Sequence, residues 1–150
     1  MSLENLFKEG RIEVRTTSRN EIHGLIKLAY RHITDASVVG LSPDGRFNHA
    51  YEGVLVLATV PLRCLGYRTK GIAHHSTIFE ALPFVLGEEV DDLASYFQVC
   101  RRKRNQSSYF TPEVVSDGEA DELIEESRKF AETILRWVED NHPEYSFTPR

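Results

Sequence analysis

"FNHAYEGVLVLATVPLRCLG", residues 47–66, decides the fold. Taken alone, Val54 to Val60 is an apolar, partly β-branched run of the kind that fills a buried strand. Over the whole stretch, Phe47, Ala50, Tyr51, Val54, Leu55, Ala58, Leu62 and Leu65 recur at spacings of three and four, which gathers them into one broad stripe on a helix. Length settles the conflict, because strands rarely run beyond about ten residues. A helix is therefore predicted from near Asp44 or Gly45 to about Leu65. Pro61 removes one backbone hydrogen bond and should kink it, and Gly66 is placed to cap it.

The same period appears on both sides. Ser18 with Glu21 has the form of a capping box, and Ile22, Leu25, Ile26, Ala29, Ile33 and Ala36 then follow at helical spacing. Gly40 and the Ser42-Pro43-Asp44-Gly45 run mark a loop. After a short basic connection, Tyr67 to Lys70, a third helix is predicted from about His74, with a kink or break at Pro83 and Gly87. A fourth covers Val90 to Arg104. The last begins at Ser116 or Asp117, carries Leu123, Phe130, Ile134, Trp137 and Val138 on one face, and stops at Pro143. No hairpin, repeat or low-complexity tract stands out. The predicted fold is all-α, an antiparallel four- to five-helix up-and-down bundle. Residues 1–17 are expected as an N-terminal extension, 18–141 as the helical domain and 142–150 as a loose tail.

The chain has 150 residues, 41% of them hydrophobic and 27% charged, with a net charge of −5. That length suits one domain with a buried core. Mild acidity argues against a general nucleic-acid binder, so any such contact should be local. Cys64 and Cys100 lie in apolar segments without metal-ligand spacing, and are expected as buried, reduced thiols. No apolar run reaches the roughly 18 residues of a membrane span. Glu4, Lys8 and Glu9 stand where a signal peptide would be apolar. A cytoplasmic protein without membrane contact is the expectation.

Few constellations point to chemistry. His74 and His75 are adjacent, hence about 100° apart on a helix, which suits a metal less well than i,i+4 spacing. Capping or packing at a helix start is the alternative role for them, and no metal or cofactor is expected. No serine sits in a nucleophile elbow, and no glycine-rich phosphate loop occurs. What remains is "CRRKRNQSSYF", residues 100–110. On a helix Arg101 and Arg104 share a face, while Arg102 and Lys103 turn away. Two guanidinium groups on one face make a phosphate clamp, and Tyr109 could stack on a base or bond a phosphate. Equally, basic residues gather at helix C-termini for dipole reasons alone. The residues themselves leave both readings open.

Two elements, "GYRTKGIAHH" between helices and the Arg-Asn…Tyr run that starts at Arg104, give the chain a likeness to a known family. Over roughly residues 20–140 it resembles the HEPN superfamily, and within it a bacterial HEPN-like group with a Gly-Tyr-Arg, Gly…His-His and Arg-Arg-Lys-Arg-Asn pattern. The resemblance implies a four- to five-helix bundle that dimerises. It also implies a place in toxin–antitoxin, antiviral or RNA-processing systems, where many members are metal-independent ribonucleases. Their motif is an arginine, often followed by a polar residue, then a histidine after four to six intervening residues. Arg104 and Asn105 match its beginning, but Tyr109 stands where the shortest spacing would put the histidine. Tyrosine, with a pKa of about 10, exchanges protons poorly near neutrality.

The resemblance thus implies a non-catalytic module. Arg101, Arg102, Arg104, Asn105, Tyr109, His74 and His75 would bind RNA or a nucleotide, or dock a nucleotidyltransferase-type or antitoxin partner, in a homodimer. One alternative is a metal-independent ribonuclease in which Arg104 stabilises phosphate charge and Tyr109, His74 or His75 moves the proton. The other is an interaction protein whose basic run only ends a helix.

Overall fold

The computed structural model describes residues 2–108 and 114–148. These form six α-helices and one small antiparallel sheet, a mostly helical fold. The helices are α1 (Leu3–Lys8), α2 (Arg19–Asp35), α3 (Pro43–Cys64), α4 (His74–Leu86), α5 (Asp91–Ser108) and α6 (Asp117–Asn141). The strands are β1 (Ile12–Val14) and β2 (Tyr67–Thr69). No helix among the described residues is long and apolar enough to cross a membrane.

Helix α3 is the hub, packing against α2, α4, α5 and α6. Ser42 caps it by accepting a hydrogen bond from the Gly45 amide at 3.1 Å, and Pro43 occupies the first turn, where its missing N–H costs nothing. Phe47, Ala50, Tyr51, Val54, Leu57, Ala58 and Val60 are all buried, so the apolar run is a helix enclosed on most sides. Pro61 lies in its last turn without ending it. Closest approach to α2 falls at Gly53, where an added Cβ would meet Ile33 Cγ1 at 2.8 Å and the Ala29 carbonyl at 3.2 Å. Only glycine lets these two backbones come so near.

The break expected before Glu88 falls at Gly87, whose φ of 106° no β-branched or bulky residue adopts readily, and α4 runs through Pro83 to Leu86. Three expectations need correction. The basic connection Tyr67–Lys70 contains strand β2, paired with β1 in the register Ile12 to Thr69, Glu13 to Arg68 and Val14 to Tyr67. Segment 1–17 accordingly holds α1 and β1, with Leu6 and Ile12 buried against Leu62 and Ala81. The tail is not wholly loose either. The His23 ring nitrogen Nε2 lies 3.1 Å and 2.9 Å from the Tyr145 and Ser146 carbonyls, and the His23 ring meets the Phe147 ring edge-on at 5.1 Å.

The N-terminal segment is held by a charge. Arg63, at the end of α3, is only 5% exposed. Its Nη1 donates to the carbonyls of Arg15 and Tyr67, its Nη2 to that of Thr16, each at 3.1 Å, and Nη2 also pairs with Glu21. Burial raises the Glu21 carboxyl, but hydrogen bonds from Thr17 and Arg63 outweigh it, so the carboxyl sits below its ordinary 4.5. A group of this kind stabilises the fold above that pH, and its contribution fades as pH falls through the depressed value.

Removing the guanidinium strands three carbonyls and a half-buried carboxylate. Arg63→Met is therefore expected to cost about 3 kcal/mol, read from urea midpoints, with Glu21→Gln costing less. A loss within about 1 kcal/mol of wild type for Arg63→Met would show that water replaces these bonds and that the anchor is dispensable.

Candidate functional site

Helical periodicity divides the basic run. Arg101, Arg104 and Asn105 turn toward the N-terminus of α4 and line a cleft of about 260 Å³ with Ile72, His74, His75 and Ser76. Arg102 and Lys103 turn to the other side, toward α6, where Lys103 pairs with Glu119 at 3.1 Å. Five of the residues singled out in the sequence thus share one concavity, and Arg102 does not belong to it. Tyr109 lies outside the described residues.

The cleft is held from both sides. Gln98, on α5, donates from its amide nitrogen to the Ser76 carbonyl at 2.9 Å and accepts from Arg101 Nε at 2.9 Å. One glutamine therefore ties the α4 start to the first arginine. Arg104 donates from Nη2 to Glu52 at 2.9 Å, and its guanidinium lies 5.6 Å from the centre of the Tyr51 ring. Its Nε is buried without a hydrogen-bond partner among the described residues. Arg104 is thus half-neutralised and oriented by α3, whereas Arg101 has no acidic partner among the described residues.

Two of these groups escape sequence reasoning. Tyr51 reads as one more member of the apolar stripe, and Glu52 as a solvated neighbour. Both contacts to Arg104 span about a third of the chain, and no local pattern announces them. The one available signal was weak: Glu52 is an acidic residue flanked closely by buried positions.

The histidine pair is packed rather than splayed, with ring centroids 4.3 Å apart. His75 Nδ1 lies 3.5 Å from the Tyr51 hydroxyl, a long contact. Burial pushes the His75 pKa below its ordinary 6.5, and the neighbouring His74 adds to this. The Glu52 carboxylate opposes the shift, while Arg104 and Arg101 reinforce it. His75 is accordingly neutral at physiological pH. The Tyr51 phenol is shifted up, chiefly by burial, and keeps its proton.

Among the described residues the two thiols do not compete as reactive centres. Cys64 and Cys100 are free and buried, and burial pushes both thiols up to about 12, far from the thiolate form. No cluster of three or more His, Cys, Asp or Glu side chains suited to a metal occurs among the described residues. The cleft offers two guanidinium groups, a carboxamide, neutral imidazole and the opening turn of α4, a donor set matched to a phosphate.

The His75 shift has a pH signature. Below its ordinary 6.5 the unfolded chain takes up a proton that folded His75 refuses, so stability contributed by the neutral ring falls as pH drops through that value and on through the depressed one. Urea midpoints of wild type should fall more steeply between about pH 7 and pH 5 than those of His75→Asn, which keeps every other titrating group. Parallel slopes for the two proteins would mean that His75 charges freely in the fold.

Comparison of the chain with protein-family models, with curated proteins and with solved structures gives no match in any of the three.

Proposed function

We propose that the chain is a HEPN-like helical module that binds RNA or a nucleotide through its phosphate, without cleaving it, within a toxin–antitoxin or RNA-related defence system. One observation carries this reading. Arg101, Arg104, Asn105, His74 and His75, from two helices, converge on one cleft, and Arg101 has no acidic partner there among the described residues. A cation kept unpaired in a chain of net charge −5 is a local attractor for a phosphate group. The resemblance adds a homodimer and a nucleotidyltransferase-type or antitoxin partner to the reading.

The Tyr51 contact favours binding over proton transfer. A protonated phenol is the better donor of the pair, so it assigns the imidazole hydrogen to His75 Nε2 and makes that atom a donor to phosphate rather than a base. A second reading, a metal-independent ribonuclease, draws on the same neutral ring. With the opposite tautomer His75 would accept a proton beside Arg104, in place of the histidine that the motif lacks.

Labelled single-stranded RNA titrated with the protein at several salt concentrations separates the readings. Arg101→Ala should weaken binding several-fold and lower the slope of log K against log salt by about one, with the RNA intact on a gel. Cleavage that disappears in His75→Ala while binding persists would establish the ribonuclease instead. Binding that ignores Arg101→Ala, or no binding at all, would sink the phosphate site.

A further inference from the structure

Helices α5 and α6 both rest on α3 and meet through side chains, with the Phe97 and Phe130 rings 5.0 Å apart in the core and Lys103 paired with Glu119 at 3.1 Å. Between them runs a groove made of two cavities of about 500 and 560 Å³ that share Tyr96 and Glu122. Its floor is apolar, formed by Leu93, Tyr96 and Phe130, and Val99 stands on its wall with 54% of its surface exposed. Val99 breaks what is otherwise a polar outer stripe on α5, with Asp92, Ser95 and Arg102 at helical spacing around it. A large apolar side chain held out beside an apolar floor is what a docking surface requires and what the fold does not.

The rim defines the occupant. Glu89 and Asp92 from the α5 side face Glu122 and Glu126 from α6, and the one cation among them, Lys129, lies 3.7 Å from Glu126. This end carries a net negative charge, which repels nucleic acid and anionic lipid and attracts a basic partner. From Asp92 to Gln106 the groove follows about fourteen residues of α5, or roughly 20 Å at the α-helical rise, enough for about four turns of a guest helix. A second copy offering α6 would bring Glu125, Glu132, Glu139 and Asp140 along with Arg128, Lys129 and Arg136, all exposed, a surface of the same net sign as the rim.

We infer that the α5–α6 groove is a docking site for an amphipathic helix of another protein, one with apolar anchors at i, i+3, i+4 and i+7 and a basic cluster at the end that meets Glu89, Asp92 and Glu122. The apolar floor holds the anchors, and the acidic rim fixes the direction in which the helix lies. The site sits on the opposite side of α5 from the phosphate cleft and is independent of it.

The test uses two labelled helical peptides of about fourteen residues with the same leucine pattern, one with lysines at one end and one with glutamates in their place. Fluorescence anisotropy should show the lysine peptide binding at least about tenfold more tightly than the glutamate peptide, with the difference shrinking as salt rises. Val99→Asp and Glu122→Lys should each weaken the lysine peptide by about tenfold. Glu139→Lys, off the groove, and Arg101→Ala, in the cleft, should leave it unchanged, with circular dichroism checking that every variant folds. Equal binding of both peptides, no binding, or equal loss in Glu139→Lys would overturn the proposal. So would a dimer in sedimentation that Val99→Asp converts to monomer, because the groove would then belong to a second copy.

Discussion

A buried guanidinium organises the lower half of this molecule. Arg63 cannot shed its proton, so burying it requires that its donors find acceptors, and they find the Arg15, Thr16 and Tyr67 carbonyls together with Glu21. Those partners belong to three pieces of chain, the exit of β1, the start of α2 and the first residue of β2, all gathered at the end of α3. Satisfying one side chain therefore fixes where the N-terminal segment crosses and which way the chain leaves α3. The Arg15 amide bonding to the Gly66 carbonyl at 2.7 Å closes the same junction through the backbone. From β2 only four residues, 70–73, lead to His74, so the placement of the histidine pair follows from the anchor.

Helix α3 carries the constraint upward. Its buried stripe packs α2 at Gly53 and seats α6, while the adjacent Tyr51 and Glu52 face α5. Core and candidate site are thus built on consecutive residues of one helix. Tyr51 is fully buried, with its ring edge-on to Phe79 at 6.0 Å, and still contacts both Arg104 and His75. A substitution there would disturb packing and site together. Arg101 is the cleaner handle on the site because its only close polar partner among the described residues is Gln98.

The helices were legible because each buries a stripe whose period is written in neighbouring residues, as Ile22, Ile26, Ala29 and Ile33 show for α2. Capping residues were legible for the same reason: Ser116 and Glu119 exchange hydrogen bonds at 3.1 and 3.0 Å within one turn. The small sheet was not legible. Strands of three residues have no period to detect, and Ile12 pairs with Thr69 across more than fifty residues of sequence. The break before Glu88 was legible at Gly87, but its place relative to Pro83 was not: a proline argues against a helix locally, while Phe79 and Leu82, both buried, hold α4 together through it. In the site, the division of the basic run into faces came from periodicity alone. The pairing of Arg104 with Glu52 depends on how α5 is laid against α3, which is tertiary information.

That division gives the chain two surfaces of opposite sign on one helix. Of the four consecutive cations, Arg104 is paired with Glu52 and Lys103 with Glu119, while Arg101 and Arg102 have no acidic partner among the described residues and line different cavities. Around Arg101 the neighbours are imidazole, carboxamide and backbone, so the local potential is positive in a chain that is negative overall. Toward the start of α5, Glu89 and Asp92 with Glu122 make the potential negative. The two regions lie on different faces of α5, and charges exposed on each face are screened by salt over about 8 Å at physiological ionic strength. The two proposed sites, one for an anion and one for a cationic partner, thus draw on charges that the helical period of α5 sorts to separate faces.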